Sequence, residues 1–236
     1  MTFNKKVILF IFILFNFQFY YCEYKNNIRN LTAQYLTAVS DAKIAEPAEI
    51  YSNLIPILET NSYLSWKDKR VLVTTWTKYP DNYRDLDSLT IVRGDVWVTV
   101  VPEIRDWFQS NGAIADTVLR IEQLLGLPPC SDYSDFVEMW VDPADLFRPA
   151  PDNEITDKIC ELEFPAGTDE IYKQWFKDNF QHSYTSPGYP WTRLGYTYDW
   201  GPSQSEIGLS EFVIKNGAAV IVKSVISTQS YLNNRK

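Results

Sequence analysis

Histidine is almost missing from this chain, which has only His182, and cysteine is scarce, with Cys22, Cys130 and Cys160 far apart. One imidazole and dispersed thiols do not supply a tetrahedral ligand set, so no metal site is expected. Basic charge is also short: 22 Lys and Arg face 30 Asp and Glu, a formal net charge of −8. Nucleic acids and anionic lipid surfaces recruit proteins through a basic face, and neither is expected as a partner. The unbroken apolar run at residues 7–15 has nine residues, whereas a spanning helix needs about 20, so no stable membrane span is expected. Gly/Ser linkers, internal repeats and low-complexity tracts are lacking as well. Their absence favours one globular domain over residues 23–236, with a sub-boundary conceivable near residue 62.

What is present at the amino end has a recognisable order. Lys5 and Lys6 precede the apolar run, and the more polar Asn16 and Gln18 follow it. That order predicts a signal peptide over residues 1–22 and a secreted or otherwise extracytoplasmic protein. Cleavage would remove two lysines and no acid, taking the net charge from −8 to −10. Cys130 and Cys160 would remain, and an even count in an exported chain predicts a disulfide between them. Closing a loop of about thirty residues is worth roughly 3–4 kcal/mol in the chain-entropy account.

Apolar spacing supplies the expected elements. Ile28, Leu31, Tyr35, Leu36 and Val39 recur at helical intervals, and Ile50, Tyr51, Leu54, Ile55 and Leu58 form a second stripe that Pro56 would kink. Residues 71–77 and 96–101, rich in Val, Thr and Trp, predict strands. Helices follow over 103–109 and 115–125, the second stopped by Gly126 before Pro128 and Pro129. A strand is predicted at 136–141, and Thr168 is positioned to cap a helix running to about 180. Two strands, 212–214 and 219–225, flank Asn216-Gly217, which reads as a hairpin turn. Helices and strands mix without regular βαβ repeats, so the expected class is α+β, a mainly antiparallel sheet with an N-terminal helical layer.

The densest aromatic stretch, residues 184–200, carries Tyr184, Tyr189, Trp191, Tyr196, Tyr198 and Trp200 among prolines and glycines. Such rings either line a surface that stacks on a small molecule, glycan or protein, or fill a core beneath a loop. Both readings stay open at this level. His182 lies at a predicted helix end, where it favours the helix dipole or acts as a general base. Asp142, Asp145, Asp152, Glu154 and Asp157 lack calcium-loop spacing and read as a solvated acidic face.

Three short motifs occur in a fixed order: LFRPAPDNEI with Arg148, HSYTSP with Thr185 and Ser186, and SEFVIKNGAAVIVKSV with Glu211. Together they resemble the arginine, Ser-Thr-Ser and glutamate motifs of ADP-ribosyltransferases. The resemblance implies that Arg148, Thr185 and Ser186 shape an NAD pocket and that Glu211 assists attack at the ribose carbon, with NAD as substrate and no bound cofactor. Leu209 stands where many transferases carry an acidic residue or Gln, which turns the implication towards NAD hydrolysis. Two functions are therefore expected in competition: an exported binding protein using the ring surface of Tyr189, Trp191, Tyr196, Tyr198 and Trp200, and an NAD-consuming enzyme.

Overall fold

A computed structural model describes residues 27–112, 114–202 and 204–233. The predicted signal peptide lies outside these residues. The chain is α+β: among the described residues five helices accompany an eight-stranded sheet whose pairings are antiparallel. The strands are β1 (Trp66–Lys67), β2 (Arg70–Thr77), β3 (Leu89–Ile91), β4 (Val96–Val100), β5 (Asp135–Val141), β6 (Leu146–Phe147), β9 (Phe212–Ile214) and β10 (Ala219–Ser227). Their order is β3-β10-β5-β2-β4-β9-β6, with β1 added to β2. A separate ribbon joins β7 (Tyr196–Tyr198) to β8 (Ile207–Ser210). No described helix is long and apolar enough to cross a membrane.

Strand alternation gives the sheet two apolar faces. Val71 and Val73 of β2 and Val137, Met139 and Val141 of β5 join Val220 and Val222 of β10 in one cluster. Ile57 and Leu64, on either side of residue 62, belong to that same cluster. On the other face Trp76 and Phe136 meet Ile104 of α2 (Glu103–Ser110), Ile121 and Leu124 of α3 (Thr117–Leu124) and Tyr231 of α5 (Thr228–Asn233). Asp116 starts α3 by accepting a hydrogen bond from the Leu119 amide at 3.0 Å, and Asp169 starts α4 (Glu170–Ser183) by accepting from Ile171 at 2.7 Å. The expected cap, Thr168, instead donates to the Pro165 carbonyl. The helix at residues 27–41, α1, lays Tyr35, Ala38 and Val39 against Trp200.

Three further expectations are corrected. Residues 50–58 form no helix; only a 3-10 turn at Pro47–Glu49 precedes them. Their backbone hydrogen bonds go elsewhere, from Leu54 to the Lys158 carbonyl and from Ile57 to that of Ile155, so burial of the stripe needs no helical period. Asn216-Gly217 turns the chain, but β9 and β10 are not hairpin partners. β9 inserts between β4 and β6, and β10 between β3 and β5. Finally, Cys130 and Cys160 are not bonded. Cys160 is buried with Leu54, Ala150, Leu194 and Tyr196, while Cys130 is exposed in a left-handed turn held by Glu122. An even cysteine count carries no information about which cluster each thiol joins.

Candidate functional site

The central ladder between β2 and β4 is short, with Val73 opposite Val100 and Thr74 opposite Thr99. Continued in register it would bring Trp76 opposite Trp97. The strands part instead, and residues 74–77 and 96–99 line the two sides of a cavity of about 500 Å³. The segment that follows α3 (Leu125, Gly126, Leu127), the last turn of α4 (Asn179, His182, Ser183) and Tyr189, Pro190 and Trp191 add to the wall. Gly126 is required there: its φ is +65°, and a Cβ would meet Pro190 and the Tyr198 carbonyl at 3.3 Å.

The rings are held by their polar edges. Trp191 donates from Nε1 to the Pro149 carbonyl at 2.9 Å, which fixes its indole edge-on to Trp97 with centroids 6.0 Å apart. Trp76 donates to Thr228 Oγ1 at 2.8 Å and stacks on Phe136. Tyr198 reaches out to Asp41, donating its hydroxyl proton at 2.8 Å. Anchored indoles and phenols present flat faces without the entropy cost of ordering them on binding.

Four charged or titratable groups other than the phenols border the cavity: Lys78, Asp95, His182 and Glu211. Asp95 accepts from Trp175 Nε1 at 2.6 Å and from the Asn216 amide at 3.2 Å. His182 Nδ1 lies 2.6 Å from the Asp178 carbonyl; a carbonyl only accepts, so that nitrogen carries a proton. Glu211 donates its amide to the Gly195 carbonyl at 2.9 Å. Among the described residues no hydrogen bond or ion pair reaches its carboxyl group, and burial pushes its pKa well above the usual carboxylate range. Glu103 accepts from the amide of Ser210, the residue before Glu211, and from the Thr99 hydroxyl, yet burial still pushes its pKa up to about 7.

The aromatic stretch divides. Tyr189, Trp191 and Tyr198 line the cavity. Tyr196 is buried in a core cluster and donates to the Glu49 carbonyl, and Trp200 packs on Tyr35 and donates to Leu127. The motif residues divide too: Glu211 lines the cavity, whereas Arg148, Thr185 and Ser186 do not. Arg148 is fully buried, its guanidinium 4.5 Å over the Phe212 ring and its Nη2 donating to the Ile55 and Asp157 carbonyls. Thr185, exposed at the end of α4, donates back to Gln181. Trp76, Trp97, Tyr79 and Tyr83 were not expected at a site. They belong to strands or a short connecting turn, and an aromatic in a strand reads as core unless the neighbouring ladder is known to stop.

Among the described residues one set of carboxylates is close enough to hold a cation, Asp41, Glu49 and Glu206, whose oxygens lie within 4.8 Å of one another. Oxygen donors suit a hard ion, but these groups stand near the surface, and crowding by Glu49 and Asp41 adds to the burial that raises the pKa of Glu206. No family model, curated protein or solved structure matches this chain, so the chemistry of the site rests on its own residues.

Proposed function

We propose that this is an exported binding protein whose cavity between β2 and β4 holds a small organic ligand. The observation that carries this reading is a cavity of about 500 Å³ walled by Trp76, Trp97 and Trp191, with Thr and Tyr hydroxyl-bearing side chains and Lys78, Asp95, His182 and Glu211 around them. That size and composition match small-molecule sites in general, where apolar rings supply affinity and a few polar groups fix orientation. A neutral naphthylamine dye, fluorescent only in apolar surroundings, is expected to bind saturably. Thr75→Phe, which places a ring in the cavity, should abolish the signal without changing the circular dichroism spectrum. Equal binding by the variant would put the dye elsewhere and defeat the reading.

NAD consumption keeps one support, the presence of Glu211 on the same wall. Arg148, the residue assigned to grip NAD, stands outside the cavity with its Nη2 committed to backbone carbonyls. Incubation with NAD is therefore expected to release no nicotinamide.

A further inference from the structure

We propose that the ligand is an organic cation, an alkyl- or trimethylammonium compound whose charge seats against Glu211 and the indole faces of Trp97 and Trp191. This rests on the cavity being a ligand site, as argued above, and adds the charge of the occupant.

The first ground is the state of Glu211. A carboxyl group withdrawn from bulk water costs free energy unless something compensates it. Elsewhere in this protein compensation is provided: Asp199 is bridged by both terminal nitrogens of Arg120, and Glu138 pairs with Arg105 and Lys223. Glu211 has no such partner among the described residues, although it lines a space large enough for one. An ammonium group in that space would bring its acidity back towards the ordinary range.

The second ground is the rings. Indole and phenol faces attract cations through their quadrupole, and enclosing a quaternary ammonium in aromatic rings is a general recognition device. The rim of this cavity already holds an alkylammonium: Lys78 Nζ lies 5.5 Å from the Tyr79 ring centroid and 5.8 Å from that of Tyr133. The other groups near the site fit this reading. Asp95 is a second carboxylate on the wall, Glu103 lies beside Ser210, and Lys78 and His182 are both exposed at the periphery.

A neutral occupant such as a sugar would meet the same rings, and the test is built to separate the two. Calorimetric titration of the full protein would compare choline with its uncharged isostere, in which carbon replaces the ammonium nitrogen. Wild type is expected to bind choline at least about ten-fold more tightly, and Glu211→Gln to reduce that ratio to about one. Glu211→Asp, which retains the charge, should keep a preference and so guards against a variant that merely misfolds. Equal affinities in wild type, a preference surviving in Glu211→Gln, or no binding of either probe would overturn the cation assignment. The dye separates the two claims: retention of the dye with no choline preference removes the cation alone, whereas failure of the dye removes the cavity reading itself.

Discussion

Glu138 and Glu211, one fully and one partly buried, show what the sheet does with a carboxylate. Glu138, on β5 opposite Thr74, is 1% exposed and bonded by Arg105 and Lys223, with the Arg105 guanidinium resting 4.0 Å over the Tyr231 ring. Every part of that arrangement comes from the protein. Glu211, between β8 and β9, has the desolvation without the partners. A charge compensated from within belongs to the folded structure, and its loss should damage the fold. A carboxylate left uncompensated beside a cavity lowers stability as pH rises, and its loss should damage binding without damaging the fold.

The largest expected effect tests the first half of this contrast. Glu138→Gln leaves Arg105 and Lys223 without their counter-charge, and breaking a buried pair from one side typically costs about 3–5 kcal/mol. Urea denaturation should show a loss of that order. A loss below about 1 kcal/mol would mean that the two cations find other partners and that Glu138 is no anchor.

Glu103 is the intermediate case, hydrogen-bonded but not ion-paired. Its pKa in the folded protein, about 7, lies above that of an unfolded glutamate. A group so raised stabilises the fold fully below its unfolded pKa, and the contribution disappears as pH rises through the folded value. The urea midpoint is therefore expected to fall between pH 5 and pH 8, and Glu103→Gln should flatten part of that decline. An unchanged slope in the variant would assign the pH dependence to other groups, among them Glu211, raised by burial, and Asp152, whose pKa burial and Glu161 also bring to about 7.

Much of this framework was legible before any coordinates. β2, β4 and β5 follow from β-branched runs, and α2, α3 and α4 from apolar spacing, because in those segments the period of the sequence and the burial of the element agree. Legibility fails where backbone partners are distant. Residues 50–58 have a helical stripe, but residues 155–158 take their hydrogen bonds, and the turn at Asn216-Gly217 separates strands that pair elsewhere in the sheet. The site was half visible for the same reason. The aromatic stretch drew attention to Trp191 and Tyr198, but the opposite wall, Trp76 and Trp97, depends on a ladder that stops after Thr74 and Thr99. Nothing local to either strand encodes that stop. Glu211 was singled out by a motif resemblance, and the feature that matters in the structure, the lack of a partner, is invisible in sequence.

The smallest expected effect tests the second half of the contrast. Burial pushes the pKa of the Glu211 carboxyl well above the usual carboxylate range, so acidic conditions hold it protonated in the folded protein. Glutamine is then a close match in shape and charge, and Glu211→Gln should change stability by no more than about 0.5 kcal/mol, the range of substitutions that break no buried interaction. At higher pH the two proteins should separate. Wild type must either hold a desolvated carboxylate or bind one more proton than its unfolded state, so its stability falls as pH rises. The variant has no proton to lose and should become the more stable of the two at alkaline pH. Paired urea titrations at pH 6 and pH 9 measure this crossing directly. A variant markedly less stable at pH 6 would show that the carboxyl group is bonded within the fold, and Glu211 would then stand with Glu138 as a structural residue.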